Sequence, residues 1–157
     1  MLIWLWLSLI VLVLDQVTKR IVDTSMALGD SIPLVPMFQL TYLRNQGAAF
    51  SFLSGAGGWQ RWFFIALAIS ASVFICYWLR KLPKERSLEA CAWALVLGGA
   101  LGNLIDRIIY GYVIDFLDVF YGNWHWPAFN VADSAITVGV VILFIDSFIH
   151  RPETAKS

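Results

Sequence analysis

The sequence predicts a membrane all-α protein: a four-helix transmembrane bundle with a small extracytoplasmic β segment and an interfacial loop or helix. Three observations predict it. The chain of 157 residues is 59% hydrophobic and only 14% charged, with a mean hydropathy of +0.71, whereas soluble domains run at about 45–50% apolar and about 25% charged. Its apolar residues gather in four blocks, each near the roughly 20 residues a helix needs to cross the hydrocarbon core. Eight Trp and five Tyr suit a protein with two water–lipid interfaces to anchor. The blocks follow one another closely, so 1–157 reads as a single integral membrane domain.

The first span, about 2–22, carries Asp15, Lys19 and Arg20 near its far end. Asp15 and Lys19 are four apart and neutralise each other if they face the bundle. Ser25-Met26-Ala27 loosely fits a small-x-small cleavage site, but there is no basic n-region and the charges follow the apolar block. The segment is therefore read as a retained helix starting from Met1 rather than a removed leader. The second span, about 62–79, has no charge at all. The third, about 88–109, closes on Asn103, Asp106 and Arg107. The fourth, about 131–149, has Asp133 near its start and Asp146 near its end, with an uncharged core of 134–145 that 128–132 and 147–149 extend.

Arg80, Lys81, Lys84 and Arg86 lie between the second and third spans, and Arg151 and Lys156 follow the last. Positive loops stay in the cytoplasm. Four spans then put both termini inside, with Lys19 and Arg20 against the trend at the outer end of the first span. Two connections remain outside, about 23–60 and 110–130. In the first, 38–44 alternates apolar and polar residues, the pattern of a half-exposed strand. Residues 47–52 are its expected partner, with a turn at 44–47 and the glycines at 55, 57 and 58 leading into the second span. The second connection is rich in Phe, Tyr and Trp and contains Pro127. It reads as an interfacial segment on the outer leaflet, partly helical.

Against this apolar background the polar groups stand out. Asp115 and Asp133 sit at the edges of hydrophobic segments, where a charged carboxylate is costly and function is the default reading. Together with Asp15, Lys19, Asn103, Asp106, Arg107 and Asn130, they come from four chain regions at one depth, the outer ends of the spans. Buried polar groups need partners, which favours one shared site. Each has a plainer reading. Asn130 and Asp133 have the spacing of a helix cap. Asp115 and Asp118 suit the solvated face of an interfacial helix. Asp106 and Arg107, as neighbours, cannot face the same way on a helix, and a structural role suits them equally. Gly98, Gly99 and Gly102 fit close helix packing. Asp146 belongs to the inner interface. Cys76 and Cys91 fall inside apolar stretches and read as buried free thiols.

Several chemistries find no support. His125 and His150 are isolated, no zinc-type spacing occurs, and no metal or cofactor is expected. There is no Gly-x-Ser-x-Gly elbow. A formal net charge of zero offers no case for nucleic acid. Carboxylates remain as the acid/base candidates. A small transporter or proton channel would also bury carboxylates and an Arg, but it would line a path across the membrane, and the uncharged second span offers none. A purely structural subunit would make both aspartates replaceable.

Five blocks in order carry a resemblance: Asp15-Gln16-Val17-Thr18-Lys19, Asn45-Gln46-Gly47-Ala48-Ala49-Phe50, the run from Gly98 to Arg107 with Asn103 inside it, Val113-Ile114-Asp115-Phe116, and Phe129-Asn130-Val131-Ala132-Asp133-Ser134. Across most of the chain they resemble the bacterial lipoprotein signal peptidases (signal peptidase II), with no departure at the motif positions. The resemblance implies a monomeric aspartic endopeptidase of the inner membrane, its active site facing the periplasm. Its substrates would be diacylglyceryl-modified prolipoproteins, cut just before the modified cysteine, and its other contacts membrane lipids. It implies that Asp115 and Asp133 are the catalytic pair. Asp15, Lys19, Asn45, Gly47, Asn103, Arg107, Asn130 and Ala132 would support the site or contact substrate. Globomycin inhibits the family by blocking the aspartate pair.

Overall fold

The computed structural model describes residues 1–47 and 58–149. Among these, four helices are long and apolar enough to cross a membrane. A 3-10 turn, Leu2–Trp4, leads into α1 (Leu5–Ser25). The others are α2 (Trp59–Lys81), α3 (Ser87–Ile109) and α4 (Val131–Ile149). Each expected span is present. The first runs three residues further, the second and third begin slightly earlier, and the fourth matches. Residues 128–130, expected to extend the fourth span, lie outside the helix.

Helix α3 sits at the centre and packs on the other three. Its small residues make this possible. A Cβ at Gly98 would lie 2.7 Å from the Ser8 carbonyl oxygen of α1, and one at Gly139 of α4 would lie 2.7 Å from the Ala92 carbonyl oxygen of α3. Ser8 Oγ donates to the Ala94 carbonyl at 2.8 Å across the same contact. Lipid offers no hydrophobic drive between helices, so close van der Waals approach and such hydrogen bonds hold them. Gly98→Ala is expected to push α1 off α3 and cost about 1–3 kcal/mol. Unfolding followed in detergent should show this, and an unchanged midpoint would contradict the packing role.

The four strands are β1 (Ser31–Val35), β2 (Phe38–Asn45), β3 (Val113–Tyr121) and β4 (Trp124–His125), antiparallel in the order β1-β2-β3-β4. The expected strand at 38–44 is β2. Its expected partner at 47–52 and the glycines at 55 and 57 fall at 48–57, outside the described residues apart from Gly47, as do His150, Arg151 and Lys156. The partners seen are β1 and β3. The connection expected to be an interfacial loop or helix is therefore strand over Val113–Tyr121. The β-branched and aromatic residues of that run favour a pleated, half-buried surface, and a packed neighbour in β2 satisfies its backbone. Gly111 at φ +82° makes the turn from α3 into it, a conformation costly for other residues. Val22, Tyr42, Ile114 and Phe116 form a buried cluster that fastens the sheet to the end of α1. Cys76 and Cys91 are free thiols, but half-buried rather than buried.

Candidate active site

The end of the bundle where α1 and α3 finish and α4 begins holds a buried ion cluster. Lys19 Nζ lies 2.8 Å from Asp15 Oδ2 and 3.0 Å from Asp106 Oδ2, with all three side chains at most 2% exposed. One ammonium between two carboxylates leaves acceptor capacity over, and backbone N–H groups use it. Asp15 Oδ1 accepts from Ala132 N at 2.8 Å, and Asp106 Oδ2 from Ile114 N at 3.1 Å. Gln16 Nε2 donates to Asp106 Oδ1 at 2.9 Å. Ala132 is the second residue of α4, where an N–H has no partner within the helix and the dipole favours a negative charge. Asp15 of α1 thus caps α4. Gly102 clears the way, since a Cβ there would lie 2.5 Å from Asp15 Oδ2.

A layer of amides stands on this cluster. Lys19 Nζ donates to Asn103 Oδ1 at 2.9 Å. That contact fixes the amide, because an ammonium only donates. Asn103 Nδ2 is then aimed at Asp133 Oδ1, 2.7 Å away. Asn130 and Asp133 form a reciprocal cap. Asp133 N donates to Asn130 Oδ1 at 2.9 Å, and Asn130 N to Asp133 Oδ2 at 3.3 Å. The capping reading of Asp133 is correct, and it is compatible with a place in the site. With Asn130 Oδ1 so engaged, its Nδ2 points to Asp115 Oδ1 at 2.8 Å. Asn45, the last residue of β2, gives its Nδ2 to Asp115 Oδ2 at 2.9 Å and accepts from Gly47 N at 2.9 Å.

Asp115 is buried in the middle of the sheet, not on a solvated helix face, and Asp118 is buried as well. The sheet is irregular beside them. Phe116 N and Leu117 N both donate to the Phe129 carbonyl, at 3.0 and 2.8 Å, and the β2–β3 register shifts between Leu40 and Leu43, where two residues of β2 face one of β3. An ordinary strand would send residues three apart to opposite faces, and beside this irregularity Asp115 and Asp118 line the same cavity. Such an irregularity has no sequence signal, which is why the pairing of Asp118 with this face escapes a reading of the chain.

Asp115 and Asp133 line one cavity of about 470 Å³ together with Asn45, Asn103 and Arg107. Its far wall is Ser134, Thr137 and Val138 of α4, and its roof is Trp126–Phe129. Burial first, and then the charge of Asp133, raise the Asp115 carboxyl from 3.8 to about 7. Arg107 donates to the Gly47 carbonyl at 3.1 Å and to the Asn103 carbonyl at 3.2 Å, and covers the Phe64 ring. It borders the cavity, while its neighbour Asp106 turns inward to Lys19. Arg61 escapes sequence reading altogether. It caps the end of α3 through the Arg107 and Ile108 carbonyls, at 2.8 and 3.0 Å, a common duty for a cation at a helix C-terminus. At the other end of the bundle Asp146 is buried and paired with Arg86 at 2.5 Å, far from this site in the fold, as expected.

All ten residues singled out in the sequence thus converge: Asp115, Asp133, Asn45, Asn103 and Arg107 on the cavity, Asn130 and Gly47 bonded to its wall, and Asp15, Lys19 and Ala132 beneath. Comparison with known proteins gives a consistent answer. The family model described as Signal peptidase (SPase) II matches residues 7–149. The chain is 56% identical over 147 residues to the lipoprotein signal peptidase of Pseudoalteromonas translucida, covering 94% of this chain and 89% of that one. It is 58% identical over 143 residues to that of Burkholderia mallei, covering 91% and 86%. A solved structure titled as a bacterial membrane enzyme determined in meso at 2.3 Å resolution superposes with a TM-score of 0.87 at 34% identity, over 98% of this chain and 92% of that one. By the family model, by these relatives and by its fold, the chain belongs to the signal peptidase II family.

Proposed function

We propose that the chain is an aspartic endopeptidase of the bacterial inner membrane that removes signal peptides from prolipoproteins, cutting before the diacylglyceryl-modified cysteine. The observation that carries this reading is the pair Asp115 and Asp133 on one cavity wall, each carboxylate oriented by asparagine amides and facing space for a substrate. Two carboxylates at close quarters do not both ionise easily and hold one proton between them. The ionised member takes a proton from water as the oxygen attacks the scissile carbonyl. The protonated member donates to the carbonyl oxygen, giving a neutral tetrahedral diol. Its collapse returns a proton to the leaving amine and breaks the C–N bond. Arg107, Asn45 and Gly47 border the substrate's path. Asp15, Lys19, Asn103, Asn130 and Ala132 hold the pair in place.

The basic loop after α2 supports cytoplasmic termini and a site on the periplasmic side. The whole of 1–157 serves as one domain and acts as a monomer among lipids, with no role for nucleic acid. Globomycin would act in the same cavity, on the aspartate pair. The α4 wall of the cavity, Ser134, Thr137 and Val138, belongs to a helix long and apolar enough to cross a membrane. It suits acyl chains that stay in lipid while the peptide bond reaches the aspartates. Binding energy from these remote groups then positions the scissile bond.

The purified chain should cleave a diacylglyceryl-modified prolipoprotein and cut the unlipidated form far more slowly in the same bilayer. Equal rates would point to a peptidase that reads only the peptide, and no cleavage of either would end the proposal. The pH dependence follows from Asp115. Its folded value of about 7 lies above the ordinary 3.8. The native state therefore holds a proton that the unfolded chain releases between those values, and stability present in acid is lost as pH rises through about 7. Cleavage should fall over the same limb as the pair loses its shared proton, with an apparent value that belongs to the pair. A flat rate from about pH 6 to about pH 9 would contradict a proton-sharing dyad.

A further inference from the structure

A second cavity, of about 550 Å³, adjoins the first and shares Asn45, Asp115 and Trp126–Ala128 with it. Its volume falls within the roughly 300–1,000 Å³ of ligand-holding clefts. The two differ in setting. The first runs along α4, while the second lies over the sheet, on Gln39, Thr41 and Leu43 of β2 and Asp118 of β3. The mechanism leaves unused the polar groups that the second does not share with the first. Asp118 is 4% exposed and gathers three donors: Gln39 Nε2 at 2.7 Å, Thr41 Oγ1 at 3.1 Å and His125 Nδ1 at 2.9 Å. Ser31 Oγ joins Thr41 Oγ1 at 3.0 Å. His125, isolated in the sequence, is thus fixed by an aspartate and by stacking on Phe120 at 5.4 Å, with its side chain 48% exposed. A carboxylate accepting from Nδ1 makes that nitrogen the protonated one and leaves Nε2 as the ring's remaining polar atom.

A chain that crosses Asp115 enters both cavities. If the cavity along α4 takes the lipid-bearing end, the sheet-side cavity receives what continues outward. We propose that this groove is a binding subsite for the first residues of the mature polypeptide, just after the modified cysteine. His125 is its specificity contact, and Asp118 is a positioning residue that acts through His125. The ligand class is a short, extended, polar peptide segment, held by hydroxyl, amide and imidazole groups. The inference rests on the proposed peptidase reading and adds to it a selectivity on the mature side.

The test uses the full-length protein in lipid with diacylglyceryl-modified peptides of two sets. One set varies only the three residues after the cysteine, from glycine-rich through Ser/Asn-rich to bulky. The other varies only the signal-peptide side. In His125→Ala and Asp118→Asn, KM for Ser/Asn-rich mature segments should rise roughly three- to tenfold, the worth of one or two hydrogen bonds, with a smaller rise for glycine-rich ones. The ranking within the signal-side set should be kept. Ser31→Trp removes the Ser31–Thr41 contact but keeps Asp118 and the three residues that donate to it, and it fills the groove, so it should selectively slow peptides with bulky mature segments. It decides the matter if Asp118→Asn fails to fold. A uniform fall across both sets, or a change confined to the signal-side set, would overturn the subsite. A wild-type chain that cleaves none of the lipidated peptides would overturn the peptidase reading itself, which is a distinguishable result.

Discussion

Asp115→Asn and Asp133→Asn should each abolish cleavage of a lipidated prolipoprotein while the chain still folds. Asparagine keeps the shape of the side chain and one of its two acceptor oxygens but cannot exchange a proton with water or with the scissile carbonyl. The loss should be at least the about 10²–10⁴-fold typical of one general acid–base group. For Asp133 the competing role is quantifiable, because its Oδ2 also accepts from Asn130 N in the α4 cap. A weakened cap costs about 0.5–2 kcal/mol of stability and nothing specific in turnover. Cleavage rate and unfolding midpoint, measured on the same purified variants, therefore separate the two. A variant that loses stability but keeps near-normal turnover would reduce Asp133 to a helix cap. The same outcome at Asp115 would remove the dyad.

Lys19→Met should be the most destabilising single change at the site. It keeps the length of the side chain and its fit among α1, α3 and α4, but removes the cation that, among the described residues, lies within 3.0 Å of both Asp15 and Asp106. Two carboxylates buried among helices would then face each other uncompensated. Breaking a buried pair in this way costs about 3–5 kcal/mol, whereas removing all its charges together is often far less harmful. The triple variant Asp15→Asn, Lys19→Met, Asp106→Asn should therefore recover much of the stability that Lys19→Met loses. It should not recover activity, because Asn103 Oδ1 loses its ammonium donor in both and no longer aims Nδ2 at Asp133. Thermal unfolding in detergent checks the first statement and a cleavage assay the second. An unchanged unfolding midpoint for Lys19→Met would show that the cluster is solvated rather than sealed.

Much of this protein is decided locally. An uninterrupted apolar block long enough for the hydrocarbon core has one way to satisfy its backbone there, as a helix, so the four spans follow from composition and length alone. The i, i+4 spacing of Asp15 and Lys19 already implies their ion pair, and the spacing of Asn130 and Asp133 already implies the cap. The alternation over 38–44 announces β2. Tertiary structure decides what depends on contacts between distant segments. The run from Val113 to Tyr121 is apolar and aromatic in a way that suits an interfacial helix or a strand, and only the presence of β2 beside it selects the strand. The irregularity that lets Asp115 and Asp118 line one cavity depends on partners distant in sequence: the register of β2 shifts between Leu40 and Leu43, and Phe129, 12 or 13 positions further along, offers its carbonyl to two N–H groups of β3. Asn103 is aimed at Asp133 by a lysine 84 residues away. Side-chain direction is a property of a strand's register and of a buried amide's partners, and neither is written in the residues that carry the chemistry.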